Sequence, residues 1–217
     1  MNIVFARHGN TFGPGDKVVW VGRETDLPLV EKGWEQARAA GEALKRRGIV
    51  PDAVYCAGLK RTRSTAETMV GVFGGAVSQP VPQPVVDRRL DEIDYGTWAG
   101  RTSDEIAGLS GGAERLRVWS KLDQWPVDAG WVTSEAEMMA GLRAFIAEVL
   151  DPAPDNATLL VVSSNGVLRF LPRLFGLPAS RSYQMKTGHL GLVTREDGNY
   201  RLRGWNLAPG EFGTALV

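Results

Sequence analysis

Ile3-Val4-Phe5-Ala6-Arg7-His8-Gly9-Asn10 is the stretch of sequence that decides the fold. An apolar run near the start of the chain gives way at once to polar residues and a glycine. A compact run of this kind predicts a short buried strand over residues 3–6. Because open parallel sheets bind ligands beyond the carboxyl ends of their strands, the polar residues that follow are the first candidates for a site.

Strand-like and helix-like patterns alternate along the rest of the chain. The spacing of apolar residues predicts helices over residues 31–47, 60–73, 134–150 and 166–175. Gly48 and the pair Gly74-Gly75 are in position to end the first two helices. The prolines of residues 79–84 predict an extended connection. Further strands are predicted over residues 53–56, 158–163, 190–194 and 200–205, the last two joined by a turn at 197–199.

This alternation predicts an α/β fold in a single domain over residues 1–217. We expect three layers, α/β/α, with a mainly parallel central sheet covered on both faces. The pattern becomes irregular over residues 103–131, where Trp119, Trp125 and Trp131 are spread through the sequence. We interpret residues 103–133 as an inserted lid whose tryptophans pack rather than form a platform for substrate.

Composition and charge exclude several functional classes. The chain has 217 residues, 43% of them hydrophobic and 23% charged, which suits a domain with a sizeable core. Lys plus Arg and Asp plus Glu both number 25, so no overall field favours nucleic acid or an anionic membrane. No apolar run approaches the roughly 20 residues of a membrane-crossing helix, and no signal-peptide pattern precedes the first strand. We expect a cytoplasmic protein with no nucleic-acid or membrane partner.

Cys56 is the only cysteine, so an internal disulfide is excluded and a buried thiol is expected. The sequence contains no heptad repeat or association motif that would set the oligomeric state, so a homodimer is one of the possible states.

Polar residues follow three strand-like runs, at 7–10, 58–63 and 163–166. The carboxyl ends of parallel strands share one edge of a sheet, so these clusters are expected to meet. Their arginines, amides and hydroxyls are donors that together suit one small anion.

The sequence of these clusters resembles the histidine phosphatase (phosphoglycerate mutase-like) superfamily. Arg7-His8-Gly9-Asn10 is similar to the family's Arg-His-Gly signature after a terminal strand. Three further segments, at 26–33, 59–68 and 90–96, resemble the family's approach to its first helix, its second phosphate-binding helix start and its acid-bearing segment. The matches keep the family's order and spacing across most of the chain, with the lid least alike.

The resemblance implies a role for each matched residue. His8 is the nucleophile, because a neutral imidazole can attack phosphorus and a phosphohistidine divides one displacement into two easier ones. Arg7 and Arg61 hold the phosphate oxygens, and Asn10 adds a neutral donor. Glu92 takes the family's position for the carboxylic acid that protonates the leaving oxygen. Burial beside the phosphate is expected to raise the pKa of Glu92.

Asp91 and Asp94 are the alternative acids in the same segment.

The resemblance breaks after the late strand, where the family carries a second histidine. This chain has Ser163-Ser164-Asn165-Gly166, which puts Ser164 at that position. We consider first that Ser164 and Asn165 donate to the phosphate directly or through water. A second interpretation is that His189, the only other histidine, replaces the missing donor. The third is a site that binds phosphate without turnover, although losing one such donor costs roughly 10²–10³ in rate.

The resemblance implies a phosphomonoester phosphatase that acts on a small phosphorylated metabolite, with no metal or other cofactor. A phosphoglycerate mutase-like phosphotransferase is the alternative enzyme, and a catalytically weakened phosphate-binding protein is the alternative outside catalysis. The substrate stays open at this stage.

Overall fold

A computed structural model of the chain describes residues 1–74, 81–178 and 182–212. The strands are β1 (Asn2–Arg7), β2 (Ala53–Cys56), β3 (Val85–Val86), β4 (Thr158–Ser163), β5 (Leu190–Glu196) and β6 (Asn199–Leu207). The helices are α1 (Glu31–Arg46), α2 (Lys60–Gly71), α3 (Ser103–Ala107), α4 (Gly112–Leu122), α5 (Glu135–Phe145), α6 (Asn165–Leu168) and α7 (Leu171–Leu174). Two 3-10 turns lie at Arg88–Leu90 and Gly96–Trp98, and a π-helical turn at Ile146–Leu150 continues α5.

One sheet holds all six strands, in the order β3-β2-β4-β1-β5-β6. The first four run parallel to one another, while β5 and β6 are antiparallel additions at the far edge. The predicted α/β class with a mainly parallel sheet is therefore confirmed.

Alternate residues of the central strands build two separate cores, because successive side chains of a strand point to opposite faces. Ile3 and Phe5 of β1 pack with α5 and α6 in one cluster. Val4 and Ala6 pack with α1 and α2 in the other. Helices thus cover both faces of the sheet, as the sequence predicts.

The end of α1 follows the sequence closely. Gly48 has φ +65°, a left-handed conformation that favours glycine, and its N–H donates to the carbonyl of Lys45. The N–H of Ile49 donates to the carbonyl of Leu44, completing a helix-ending pair of bonds. Cys56 is buried, as expected.

Residues 103–131 are more regular than predicted, since they contain α3 and α4. Thr102 and Glu105 cap α3 reciprocally through side chains and backbone N–H groups. Trp119, Trp125 and Trp131 pack edge to face, with ring centroids 4.9–6.0 Å apart.

The predicted helix over 166–175 is wrong as one element, because it is divided into α6 and α7. Pro172 lies at the start of α7, where it supplies no N–H for a bond to the preceding turn. Helix α2 ends at Gly71, two residues before the predicted end. Gly75 and the first part of the 79–84 connection lie outside the described residues.

No helix within the described ranges has both the length and the apolar character needed to cross a lipid bilayer.

Candidate active site

A cavity of about 440 Å³ opens where β1 and β4 end. Its lining comes from the segments after β1, β3 and β4, the start of α2, helices α3 and α4, and the segment before β5. The predicted site residues that line it are Arg7, His8, Asn10, Arg61, Glu92 and Asn165. The parallel sheet thus brings residues that are far apart in the sequence to one small space.

Two glycines let the segment after β1 lie directly against the start of α1. A Cβ atom on Gly9 would lie 2.2 Å from the carbonyl oxygen of Gly33, and one on Gly33 would lie 2.2 Å from that of Asn10. The backbone N–H of His8 donates to the carbonyl of Ser163 on the neighbouring strand (3.1 Å). Backbone contacts that admit no larger residue therefore set the direction in which His8 projects.

The buried ring of His8 is held in one tautomer. Its Nδ1 lies 2.7 Å from the carbonyl oxygen of Gly9. Because a carbonyl only accepts, Nδ1 must carry the proton, and Nε2 keeps its lone pair. Burial, followed by the charges of Arg7 and Arg61, lowers the pKa of His8 well below its ordinary value. The imidazole is thus neutral at neutral pH, with Nε2 as its basic nitrogen.

Backbone carbonyls fix both guanidinium groups. Arg61, only 1% exposed, donates from Nη1 to Thr25 (3.0 Å) and from Nη2 to Gly22 (3.2 Å). Arg7 donates from Nη1 to Met185 (2.7 Å), and its buried Nε has no partner among the described residues. Burial lowers the pKa of each group, yet a guanidinium stays charged in proteins. Each retains N–H donors for an anion.

Glu92 is buried with its carboxyl group packed against the start of α6. A Cβ atom on Gly166 would lie 2.1 Å from Glu92 Oε1 and 2.6 Å from the hydroxyl of Tyr95. Oε1 accepts from the backbone N–H of Ile93 (2.9 Å), and the hydroxyl of Tyr95 lies beside the same face of Gly166. Glycine at 166 is therefore required for this position of the carboxyl group.

Burial raises the pKa of Glu92, and it outweighs the opposing effects of the Ile93 N–H, Arg61 and Arg7. The proton-bearing form consequently persists to higher pH than on an exposed glutamate. Burial likewise raises the pKa of Tyr95 well above its ordinary value, so that its hydroxyl stays a donor.

The two alternative acids hold backbone groups outside the cavity lining. Asp91 accepts from the N–H of Gly58 (2.6 Å), and Asp94 accepts from that of Gly96 (2.9 Å).

A hydrogen-bond network fixes the orientation of the Asn10 side-chain amide. The hydroxyl of Thr187 donates to Asn10 Oδ1, and Gln36 Nε2 donates to that hydroxyl (3.4 Å). The backbone N–H of Asn10 donates to Gln36 Oε1 (2.8 Å). With Oδ1 engaged as an acceptor, the Nδ2 amide group of Asn10 is the end that can serve a ligand.

Residues 3–208 match the sequence profile of the Histidine phosphatase superfamily (branch 1). The chain belongs to this superfamily. The match extends over every strand of the sheet and over all the residues that line the cavity, so the resemblance stated from the sequence is confirmed at the level of the family.

Similar proteins include mutases and phosphatases. The chain is 31% identical over 170 residues to a 2,3-bisphosphoglycerate-dependent phosphoglycerate mutase of Methylobacterium sp. (strain 4-46), covering 78% of this chain and 77% of the relative. A mycobacterial glucosyl-3-phosphoglycerate phosphatase structure is 25% identical, with a TM-score of 0.75 over 94% of this chain and 98% of the other. The alpha-ribazole phosphatase of Shigella flexneri is 23% identical with a TM-score of 0.71 over 96% and 97% of the chains, which shows the fold alone.

In the segment that departs from the histidine phosphatase pattern, one residue lines the cavity and its neighbour does not. Asn165 lines the cavity, and its Oδ1 accepts from the N–H of Met185 (2.7 Å), which leaves its Nδ2 for a ligand. Ser164 is fully buried, its Oγ has no partner within the described ranges, and it is not part of the lining. His189 lines a separate cavity, where its Nδ1 donates to the carbonyl of Asn206 (2.9 Å).

The histidine phosphatase cavity also holds residues that sequence reasoning missed. Tyr95 follows Glu92 by three positions, so the acid-bearing segment already pointed toward it. Trp20 lies in a connecting segment with no periodic pattern, and nothing in the sequence marked it. Thr187 lies two residues before His189, in a segment that the sequence singled out only for that histidine. Trp119 belongs to the tryptophan cluster but also lines the cavity. Within the described ranges, no group of three or more His, Cys, Asp or Glu side chains is placed to hold a metal ion.

Proposed function

We propose that this histidine phosphatase hydrolyses the phosphomonoester of a small metabolite through a phosphohistidine at His8. The observation that carries the proposal is the state of the His8 ring. Its Nδ1 is bound to the carbonyl of Gly9, which leaves Nε2 as the free ring nitrogen in a cavity that it shares with two fixed guanidinium groups and a buried carboxyl group. Such a nucleophile needs a positively charged receptor for the phosphoryl group and an acid for the leaving oxygen, and the same cavity holds both.

In the first step, His8 Nε2 attacks phosphorus and the bond from phosphorus to the ester oxygen breaks. Glu92 gives its proton to that oxygen, so the product alcohol leaves neutral. Arg7 and Arg61 balance the charge on the phosphoryl oxygens while the group moves. Asn10 and Asn165 offer neutral amide donors at the edge of the same space.

In the second step, the ionised carboxylate of Glu92 takes a proton from water as the water oxygen attacks phosphorus. The P–N bond breaks, inorganic phosphate leaves, and both His8 and Glu92 return to their starting states. Neither step consumes a metal or another cofactor. The raised pKa of Glu92 supports both roles, since one carboxyl group must donate a proton and then accept one.

A phosphotransferase is the second candidate, favoured by the similarity to named phosphoglycerate mutases. In that reaction, the phosphohistidine returns its group to a bound hydroxyl before water enters. Comparing released phosphate with isomerised product from 3-phosphoglycerate separates the two. More isomer than phosphate would favour the mutase.

The third candidate is a phosphate-ester-binding protein without turnover, motivated by Ser164 at the position of the family's second histidine. Tight binding of esters with neither phosphohistidine nor released phosphate across a substrate panel would favour it.

The test compares two arginines of α2. Arg61→Ala is expected to lower kcat/KM for phosphate release by roughly 10²–10³, because it removes a fixed positive donor from the transition state. Arg63→Ala removes the same charge from an exposed position of the same helix and should leave kcat/KM unchanged. Equal effects of the two substitutions would count against the proposed cradle.

A further inference from the structure

Positive charge in the cavity is limited to the phosphate cradle. Of the described residues that line it, only Arg7 and Arg61 are cationic, and His8 is neutral. A phosphate monoester carries about −1.5 to −2 charges at pH 7, which these two guanidinium groups balance. Lys17, which precedes the lining residue Val18 in the sequence, has its ammonium group paired with Glu105 (2.7 Å). A second anionic group on the substrate would therefore find no cation in this lining.

Six apolar side chains line the cavity beside its polar residues. We define the apolar wall as Phe12, Val18, Val19, Trp20, Val21 and Trp119, all of which line the cavity. Val18 is 65% exposed, so at this residue the wall presents apolar surface that the protein itself does not cover. Apolar surface next to a reactive group gains free energy when a ligand covers it.

The ring of Trp20 is held in place before any ligand arrives. Its Nε1 donates to Ser103 Oγ (3.1 Å). Its centroid lies 5.1 Å from that of Tyr95 and 5.0 Å from that of Trp98, in edge-to-face arrangements. A fixed indole can receive an apolar group at little cost in side-chain ordering.

We infer that the alcohol portion of the substrate is uncharged and carries an apolar or aromatic ring that covers the apolar wall. This inference rests on the proposed phosphatase function of the same cavity. An ester that bears a carboxylate or a second phosphate, as phosphoglycerates do, places an uncompensated anion against the wall. Such a group loses its hydration without gaining a partner.

The test uses benzyl phosphate and 4-carboxybenzyl phosphate, which differ by one distant carboxylate and keep a similar leaving oxygen. Benzyl phosphate is expected to have the higher kcat/KM, by about 10²-fold. Trp20→Ala should lower kcat/KM for benzyl phosphate by about tenfold more than for ethyl phosphate, which cannot reach the wall.

Two matched variants each add one positive charge, one at the apolar wall and one outside the cavity lining. Val18→Lys puts a cation beside the cavity and should raise kcat/KM for 4-carboxybenzyl phosphate relative to benzyl phosphate by about tenfold. Val132→Lys adds the same charge at a residue that is equally exposed, at 66%, but outside the lining, and should leave the ratio unchanged.

Binding to His8→Ala separates this inference from the proposed function. The dissociation constants of the two benzyl esters should keep the same preference, although this variant forms no phosphohistidine. If wild type turns over neither ester but His8→Ala keeps the preference, the phosphatase proposal fails and the ligand class stands. An equal or reversed preference, in binding or in kcat/KM, overturns the inference.

Discussion

Gly166→Ala is predicted to disable the acid without unfolding the protein. The new Cβ would lie 2.1 Å from Glu92 Oε1, whereas a carbon and an oxygen in contact lie about 3.3 Å apart or more. The carboxyl group must therefore move by about 1 Å, a displacement that can cost on the order of 10² in rate. Crowding costs about 1–3 kcal/mol, and alanine returns about 0.5–1 kcal/mol in a helix. We expect a net loss in the free energy of unfolding on the order of 1–2 kcal/mol.

The assay compares kcat/KM for benzyl phosphate and 4-nitrophenyl phosphate, with the thermal midpoint as a check on folding. The nitrophenolate leaves with little need of a proton, so Gly166→Ala should affect it far less than the benzyl ester. Gly71→Ala is the control, because a Cβ there meets no atom of the described residues within 4 Å and no loss of activity is expected. Equal losses on the two esters, or none on either, would refute the placement of Glu92 as the acid.

Two further predictions concern the chemistry of the same cavity. Ser164→Ala removes a buried hydroxyl that has no partner among the described residues. We therefore expect kcat/KM to stay within about threefold of wild type, and the free energy of unfolding to be unchanged or to rise by up to about 1 kcal/mol. A loss in kcat/KM of about 10² or more would show that Ser164 donates to the phosphate. The pH profile of kcat/KM should fall in acid, as His8 is protonated below its lowered pKa, and fall in alkali, as Glu92 ionises above its raised pKa. The alkaline fall should be pronounced with benzyl phosphate and weak with 4-nitrophenyl phosphate, whose leaving group needs little help from an acid, and a fall of equal size on the two esters would assign it to another group.

Patterns that depend on local sequence predicted most of the fold. The apolar run before Arg7 predicted a strand, since a short continuous apolar run that ends in polar residues is typical of a buried strand. Gly48 marked the end of α1 because a left-handed residue there excludes most side chains. The capping signature of Thr102 and Glu105 was also present in the sequence and predicts α3, although the irregular apolar pattern around it obscured the helix.

Properties that depend on tertiary contacts could not be predicted in the same way. Ser164 follows its strand as the family's histidine does, yet burial places it behind the cavity lining. His189 lies near Thr187 in the sequence, but its ring faces a different cavity because its Nδ1 bonds to Asn206. Trp20 reaches the site from a segment without regular structure, where its ring packs against Tyr95 and Trp98.

The central claim is that the His8 nitrogen accepts the phosphoryl group, and the chain allows a direct measurement because it has only two histidines. The protein is mixed with a ³²P-labelled phosphomonoester, denatured in alkali to preserve phosphohistidine, and assayed for bound label. We predict label on wild type and on His189→Ala, and none on His8→Ala. Label that persists on His8→Ala, or that disappears with His189→Ala alone, would contradict the account.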